Sequence, residues 1–318
     1  MPSDHALRQE RVRHSLITVK GENPNSTRAH TRGSAICHPF HDNILSILRR
    51  ARVVAKAHSS GYGMNTLGGA MSVFIVLMLF ATGFLSGVVN AIAGGGTFLT
   101  FGAMTLAGLP PIVANATSAI VQFPGYITSV IAYGPEIRAH WREAILLSAV
   151  SVVGGLAGSL LLLSLDNPSF RQLVPWLLLA ATVVFAAGPW LRPKASAERS
   201  PGNLPSLVFQ GLASIYGGFF GAGMGIMMLA ILGMTSGGSY HHLNALKNLL
   251  SVVIAVIAIT IFVSGGVVSW WAALIMFPAA ALGGYAGVHT ARRVPQWIIR
   301  WLVIAVGLIL TAYYFVST

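Results

Sequence analysis

Two glycine clusters, AGGGT at 93–97 and GFFGAGMG at 218–225, interrupt apolar runs that would otherwise read as continuous helices. Glycine in a helix interior costs roughly 1 kcal/mol relative to alanine, so each cluster predicts that one helix ends there and another begins. A helix start exposes amide N–H groups with no intrahelical acceptor, equivalent to about half a positive charge. Such starts bind anions. The candidate backbone donors are Gly94, Gly95, Gly96 and Thr97 at the first break and Gly221, Gly223 and Gly225 at the second. The competing reading is that small residues only let helices approach closely. Gly154, Gly155 and Gly158, and likewise Gly283, Gly284 and Gly287, fit that second reading better, because no short helix follows them.

Lys247, in HHLNALKNLLS, is the only Lys or Arg between Ser200 and Ala291. A cation inside a span is expensive and is a functional candidate by default. It lies about seven residues into its helix, about 10 Å by helical rise, so snorkelling to the interface is the alternative. Asn244 shares its helix face, and Asn115, Thr117 and Ser118 hold matching positions in the first half. These side chains would complement an anion or bond a neighbouring backbone. No Asp, Glu, Lys or Arg occurs from Ala57 to Pro135, 79 residues, and no Asp or Glu follows Arg199. From these stretches we expect spans free of carboxylates, the groups that cation carriers and proton relays use. That expectation favours a small anion and leaves the chain without an obvious coupling group.

Other chemistries lack their parts. His241 and His242 have no neighbouring Cys, Asp or third His to complete a metal site. GAGMG is not followed by the Gly-Lys-Ser/Thr of a phosphate loop, and no serine shows the partner acid of a hydrolytic triad. No catalytic residue, metal or cofactor is expected, and the chain is not read as an enzyme.

The elements that must position these residues follow from composition. The 318 residues are 54% hydrophobic and 9% charged, against roughly 25% charged in soluble domains. Lipid must therefore be part of the solvent, and uncharged runs of about 20 residues read as spanning helices. Strand-like alternation is weak, so the expected class is an all-α polytopic bundle rather than a barrel. Helices are expected over about 70–93, 97–107, 113–133 (kinked at Pro124), 141–163 and 173–190, and again over 206–220, 224–234, 242–263, 270–289 and 297–315. Trp141, Trp190, Trp270, Trp297 and Trp301 fall at their ends, as an interfacial belt would place them.

The two series repeat. A gapless shift of 129 residues carries Gly94 onto Gly223, Gly96 onto Gly225, Gly108 onto Gly237, Asn115 onto Asn244 and Trp141 onto Trp270. The same shift carries Gly154, Gly155, Ala157 and Gly158 onto Gly283, Gly284, Ala286 and Gly287. Internal duplication is frequent in secondary transporters. With the basic linker Arg192–Pro205 in the cytosol and each glycine-split pair contributing zero or two crossings, the loops bearing Arg138 and Arg142, and Arg292 and Arg293, land on the same side; one crossing per pair would put Arg292 and Arg293 outside. Corresponding loops of the two halves then land on opposite sides, so the repeats are inverted. The expected organisation is a tail over 1–63, a first repeat over 64–191, a linker over 192–205 and a second repeat over 206–318.

The net charge of +12 divides equally between residues 1–63 and the remainder. In a membrane protein it marks cytosolic loops rather than nucleic-acid binding. Residues 1–63 lack the apolar core of a secretory signal. They read as a disordered tail, or as upstream of a true start at Met64 or Met71, with NILSILRRARVVAKA from Asn43 a candidate amphipathic surface helix. The single Cys37 permits no internal disulfide.

Gly83–Ser118 resembles the opening of the TauE/SafE family of sulfite exporters, on Gly94 to Gly96, the turn Gly108-Leu109-Pro110, and Ala114-Asn115-Ala116-Thr117-Ser118. GGFFGAGMGIMMLAILG followed by LNALKN is similar to the family's second repeat. The chain departs from the pattern at Phe101 and Ala230, where a proline is usual, and at Leu246-Lys247 opposite Thr117-Ser118. The resemblance implies a multi-pass permease of the bacterial inner membrane for sulfite, sulfonates or related organic anions. Such a permease admits a coupling ion, H+ or Na+, and a homo-oligomeric assembly. A passive anion channel and a membrane subunit without transport are the alternatives.

Overall fold

The computed structural model describes residues 46–48, 73–92, 95–191, 202–290 and 296–317. Most of the tail, Gly94 and most of the linker lie outside the described residues. The helices are α1 (Val73–Ile92), α2 (Gly96–Leu106), α3 (Pro111–Ala132), α4 (Gly134–Ala139), α5 (Trp141–Ser164) and α6 (Asn167–Leu191), then α7 (Leu204–Phe219), α8 (Met224–Thr235), α9 (Tyr240–Gly265), α10 (Trp270–Thr290) and α11 (Gln296–Ser317). Six of these, α1, α5, α6, α9, α10 and α11, are long and apolar enough to cross a membrane. No β-strand occurs among the described residues.

Local chemistry explains the boundaries. After α2 the chain turns through Gly108 at φ 85°, and Pro110-Pro111 opens α3; proline at a helix start forfeits an amide that would be unpaired anyway. The matching Gly237 is also left-handed, at φ 72°, and Ser239 then caps α9 by accepting the His242 amide at 3.2 Å. Pro124 lies within α3. Two elements depart from expectation. The stretch before Trp141, read as a loop, contains the six-residue α4, opened by Gly134-Pro135. Helix α6 starts at Asn167 rather than near Leu173, because Asp166 accepts the Ser169 amide at 3.2 Å and extends the helix by a capped turn.

α2 and α8 are 11 and 12 residues long, about 17 Å each by helical rise and so about half the hydrocarbon thickness. They are half-helices, as the glycine breaks predict.

Packing follows the duplication. The most extensive interfaces pair α1 with α10 and α5 with α7, and these two pairings exchange when the halves are exchanged. The contacts of α3 with α10 and of α9 with α5 exchange likewise, as do those of α2 with α11 and α8 with α6, while α3–α9 and α6–α11 each map onto themselves. The first and fourth helices of opposite halves meet backbone to backbone. A Cβ on Gly87 would strike the Ala280 carbonyl and lie 2.7 Å from the Gly284 amide nitrogen. One on Gly283 would strike the Phe84 carbonyl, and in the other pair one on Gly158 would strike the Ile215 carbonyl. The small-residue motifs at 154–158 and 283–287 are thus helix-packing sites. The helices sort into two bundles, α1–α2–α3–α10 and α5–α7–α8–α9, each borrowing one helix from the other sequence half, with α6 and α11 paired beside them.

A cluster of aromatic residues fills the interior: Phe98, Phe101 and Phe170 are fully buried, with Phe101 edge-on to Phe220 and stacked on Tyr314. Outward-facing positions are apolar, and the five tryptophans at helix ends are all exposed, as a lipid-facing surface with an interfacial belt requires.

Candidate functional site

A cavity lies where the two bundles meet. One wall is Thr97 from the first turn of α2 with Asn115, Ala119, Gln122 and Tyr126 along α3. The other is Gly217, Gly218, Phe220 and Gly221 at the break between α7 and α8, Met224, and Ile254, Ala255, Ala258 and Phe262 of α9. It leaves about 30 Å³ for the centres of water-sized guests. One water needs about 10–15 Å³ by this measure, so the space suits two or three waters or a small anion of a few heavy atoms.

The glycine breaks shape this site in different ways. At the second, Phe219–Gly223 leaves the helical path through Gly221 at φ 74° and Gly223 at φ 72°, backbone angles that glycine adopts without strain. The Tyr216 hydroxyl donates to the Ala222 carbonyl at 2.6 Å and pins the turn. The Phe219 carbonyl, freed at the end of α7, accepts the Asn115 Nδ2 amide at 2.9 Å, a bond between the halves. At the first break, Gln122 Nε2 donates to Ser86 Oγ at 2.5 Å, and Ser86 Oγ donates to the Gly96 carbonyl at 2.9 Å. This relay ties α3, α1 and the start of α2 together. No side chain caps α2 or α8, so the positive ends of both half-helices are left to whatever lies near them. Thr97 brings that end of α2 to the cavity wall, beside Tyr126.

Of the residues expected from sequence, Thr97, Asn115 and Gly221 line the cavity. Gly94 falls outside the described residues. Gly95 packs on Phe185 and Val303, and Gly96 on Ser86 and Gln122, so both serve close packing at the break. Gly223 forms the left-handed cap of α8. Gly225 sits beside Lys247, whose Cδ would lie 3.8 Å from a Cβ placed there. Lys247 is half-buried outside the cavity wall, next to the first turn of α8, and no ion pair joins it among the described residues. Asn244 is buried one turn earlier. Thr117 Oγ1 accepts the Ser269 amide at 3.0 Å, a bond that anchors the start of α10 rather than a ligand contact. The Ser118 hydroxyl is buried without a hydrogen-bond partner.

Gln122 and Tyr126 were not singled out from sequence. The signal was present: Asn115, Ala119, Gln122 and Tyr126 fall at i, i+4, i+7 and i+11, one stripe of a helix.

The expectation of carboxylate-free spans requires correction. Glu143, in the first turn of α5, is a buried carboxylate bonded to His242 Nε2 at 3.2 Å. It lies beyond the uncharged stretch that ends at Pro135 but inside the helix already expected over 141–163, so the count of uncharged stretches passed over it. His242 therefore faces Glu143 rather than pairing with His241, and no cluster of three metal-ligating residues occurs among the described residues.

The sequence has relatives among known proteins. The family model for the sulfite exporter TauE/SafE matches residues 79–314. The chain belongs to the TauE/SafE family. A probable membrane transporter protein of Haemophilus influenzae is 27% identical over 245 residues, covering 75% of this chain and 93% of that protein. The probable membrane transporter protein YfcA of Escherichia coli K12 is 26% identical over 242 residues, covering 76% and 90%. The probable membrane transporter protein ORF9 of a Sinorhizobium species is 25% identical over 236 residues, covering 74% and 90%. This TauE/SafE protein is thus an integral, multi-pass membrane protein of a transporter family, and the matched region holds both glycine breaks and the cavity between them.

Proposed function

We propose that the protein is a secondary permease of the inner membrane for small anions: sulfite, short sulfonates or related sulfur-containing anions. The observation that carries the reading is the cavity wall. It combines the uncapped start of α2 with Asn115, Gln122 and Tyr126, and contains no carboxylate. Hydrogen-bond donors and a helix amino end stabilise an anion without a fixed counter-charge, and Lys247 beside the start of α8 adds a positive charge to the same region. The exchange-related packing supports two repeats, over 64–191 and 206–318, inverted with respect to each other and giving access alternately to the two sides. The sulfur-anion class comes from the family's name and from the size of the cavity, and the absence of an enzymatic role from the relatives' names.

Purified protein in liposomes loaded with sulfite, sulfate, thiosulfate or a short alkyl sulfonate tests this. The expected result is saturable flux of at least one of these anions, strongly reduced in Lys247→Ala at equal incorporation. Absence of flux for all four would make the protein a non-transporting membrane subunit. Flux that no opposing ion gradient alters would make it a channel.

A further inference from the structure

Glu143 and His242 are the only carboxylate and histidine bonded to each other among the described residues, and neither touches the cavity. They come from opposite sequence halves, with side chains 8% and 4% exposed. The buried Ser236 hydroxyl lies beside the Glu143 carboxylate. The His140 ring lies against His242 with centroids 3.8 Å apart, and its Nδ1 donates to the Glu136 carbonyl at 3.1 Å. His242 Nδ1 is buried with no hydrogen-bond partner. A carboxylate only accepts, so His242 Nε2 carries the proton it donates to Glu143, and the neutral ring leaves Nδ1 as a bare lone pair. We propose that this is a proton-binding site: a proton added at His242 Nδ1 converts a buried carboxylate with a neutral imidazole into a buried, net-neutral ion pair.

The neighbourhood limits the site to one added proton. Two imidazolium rings at 3.8 Å would repel strongly, so His140 and His242 are not charged together. The other titratable or charged groups on the adjoining segments are Tyr133 at the end of α3, Glu136 and Arg138 of α4, Arg142 at the start of α5, and His241 on α9. Arg142 lies over the Trp141 ring, and Lys247 is further along α9.

Position gives the proton its consequence. Helix α3 belongs to one bundle and α5 and α9 to the other, and the only covalent path between α3 and α5 is Tyr133–His140. Gly134, at the joint, has open space around its Cβ position, while the Tyr133 and His241 rings approach to 6.4 Å. The protonation state of His242 therefore bears on how the α3–α4 joint seats against α9, the helix that carries Asn244, Lys247 and one wall of the cavity. Resting on the permease reading above, this makes H+ the coupling ion.

Two measurements separate the site from that reading. The first is histidine NMR of isotope-labelled protein in nanodiscs between about pH 5 and about pH 9, with His242 assigned by its loss in His242→Gln. A His242 resonance that titrates, and whose midpoint moves in Glu143→Gln, is expected; a His242 resonance that stays fixed across the range overturns the proposal. The second is the ratio of pH-gradient-driven to downhill anion flux in liposomes, where one pH unit sustains up to about tenfold accumulation per coupled proton. That ratio should fall to the downhill value in Glu143→Gln and in His242→Gln. An unchanged ratio in both variants overturns the coupling role. If Glu143→Gln does not fold, His140→Phe, which keeps an aromatic ring against His242 and removes its proton, should still shift the His242 midpoint; no shift counts against the site. Wild-type protein that moves no anion while His242 titrates normally refutes the permease reading and leaves the proton site standing.

Discussion

Adjacent glycines in α10 give opposite expectations. A Cβ on Gly283 would strike the Phe84 backbone of α1, while one on Gly284 meets nothing within 4 Å. Gly283→Ala must push two helices apart, at a cost of about 1–3 kcal/mol typical of overpacking. Gly284→Ala should be neutral or slightly stabilising, since alanine is the better helix former. Thermal unfolding of the two detergent-solubilised variants checks this, and equal melting temperatures would refute the close-packing account of the motif. The site residues divide in the same way. Asn115 and Thr97, conspicuous in the sequence as polar side chains in an apolar run, line the cavity, and Asn115 also ties the Phe219 carbonyl. Thr117, just as conspicuous, turned out to anchor the Ser269 amide, because residue type alone does not distinguish a ligand contact from a backbone tie. Glu143 was missed for the converse reason: it stands at the start of the helix expected over 141–163, next to Arg142, where a charge reads as solvent-facing, and only the pairing of α5 with α9 buries it.

Helix starts and ends carry their own tests. The relay from Gln122 through Ser86 to the Gly96 carbonyl holds α2 in place. Ser86→Ala leaves the buried Gln122 amide without its acceptor and the Gly96 carbonyl without its second donor, at a cost of about 1–3 kcal/mol, and should shift α2 and Thr97 at the cavity wall. Because both ends of the relay are polar, Ser86→Ala with Gln122→Leu should be less destabilised than the sum of the single variants; additive melting shifts would show that the bonds are not coupled. At α6, the Ser169 hydroxyl and amide hold the exposed Asp166 carboxylate below its usual pKa. A depressed folded-state pKa means the cap stabilises α6 above the unfolded-state pKa and loses that contribution as pH falls through the folded value. The protection of the Ser169 and Phe170 amides against hydrogen exchange, taken relative to their intrinsic rates at each pH, should therefore fall in acid, and Asp166→Asn should remove that pH dependence while keeping most of the cap. Protection that does not change in acid would contradict this. The helix order and the half-helices were readable because glycine, proline and hydropathy act locally. The early start of α6 and the presence of α4 depended on a single cap and on packing against α9, neither of which leaves a periodic trace.

At the scale of the molecule, the pairing of α1 with α10 and of α5 with α7 bears on which parts move. These interfaces join the two sequence halves through backbone contacts at glycines, the hardest kind to slide. In an alternating-access permease built of two repeats, the simplest division has one repeat rocking against the other. The packing favours a different division, in which α1–α2–α3–α10 moves against α5–α7–α8–α9 and the cavity opens between α3 and α9. A cross-link distinguishes them. With Cys37 replaced by serine, Gly155→Cys and Ile254→Cys join α5 to α9, where the Cβ separation of 3.8 Å suits a disulfide. That bond crosses the sequence halves but stays within one bundle, so oxidised and reduced protein should carry anion at the same rate. A thiol cross-linker between Ala119→Cys and Ala258→Cys spans the two cavity walls and should stop transport until it is cleaved. If the α5–α9 disulfide arrests flux and reduction restores it, the moving bodies are the sequence repeats themselves, and the exchanged bundles are only the way a duplicated chain packs.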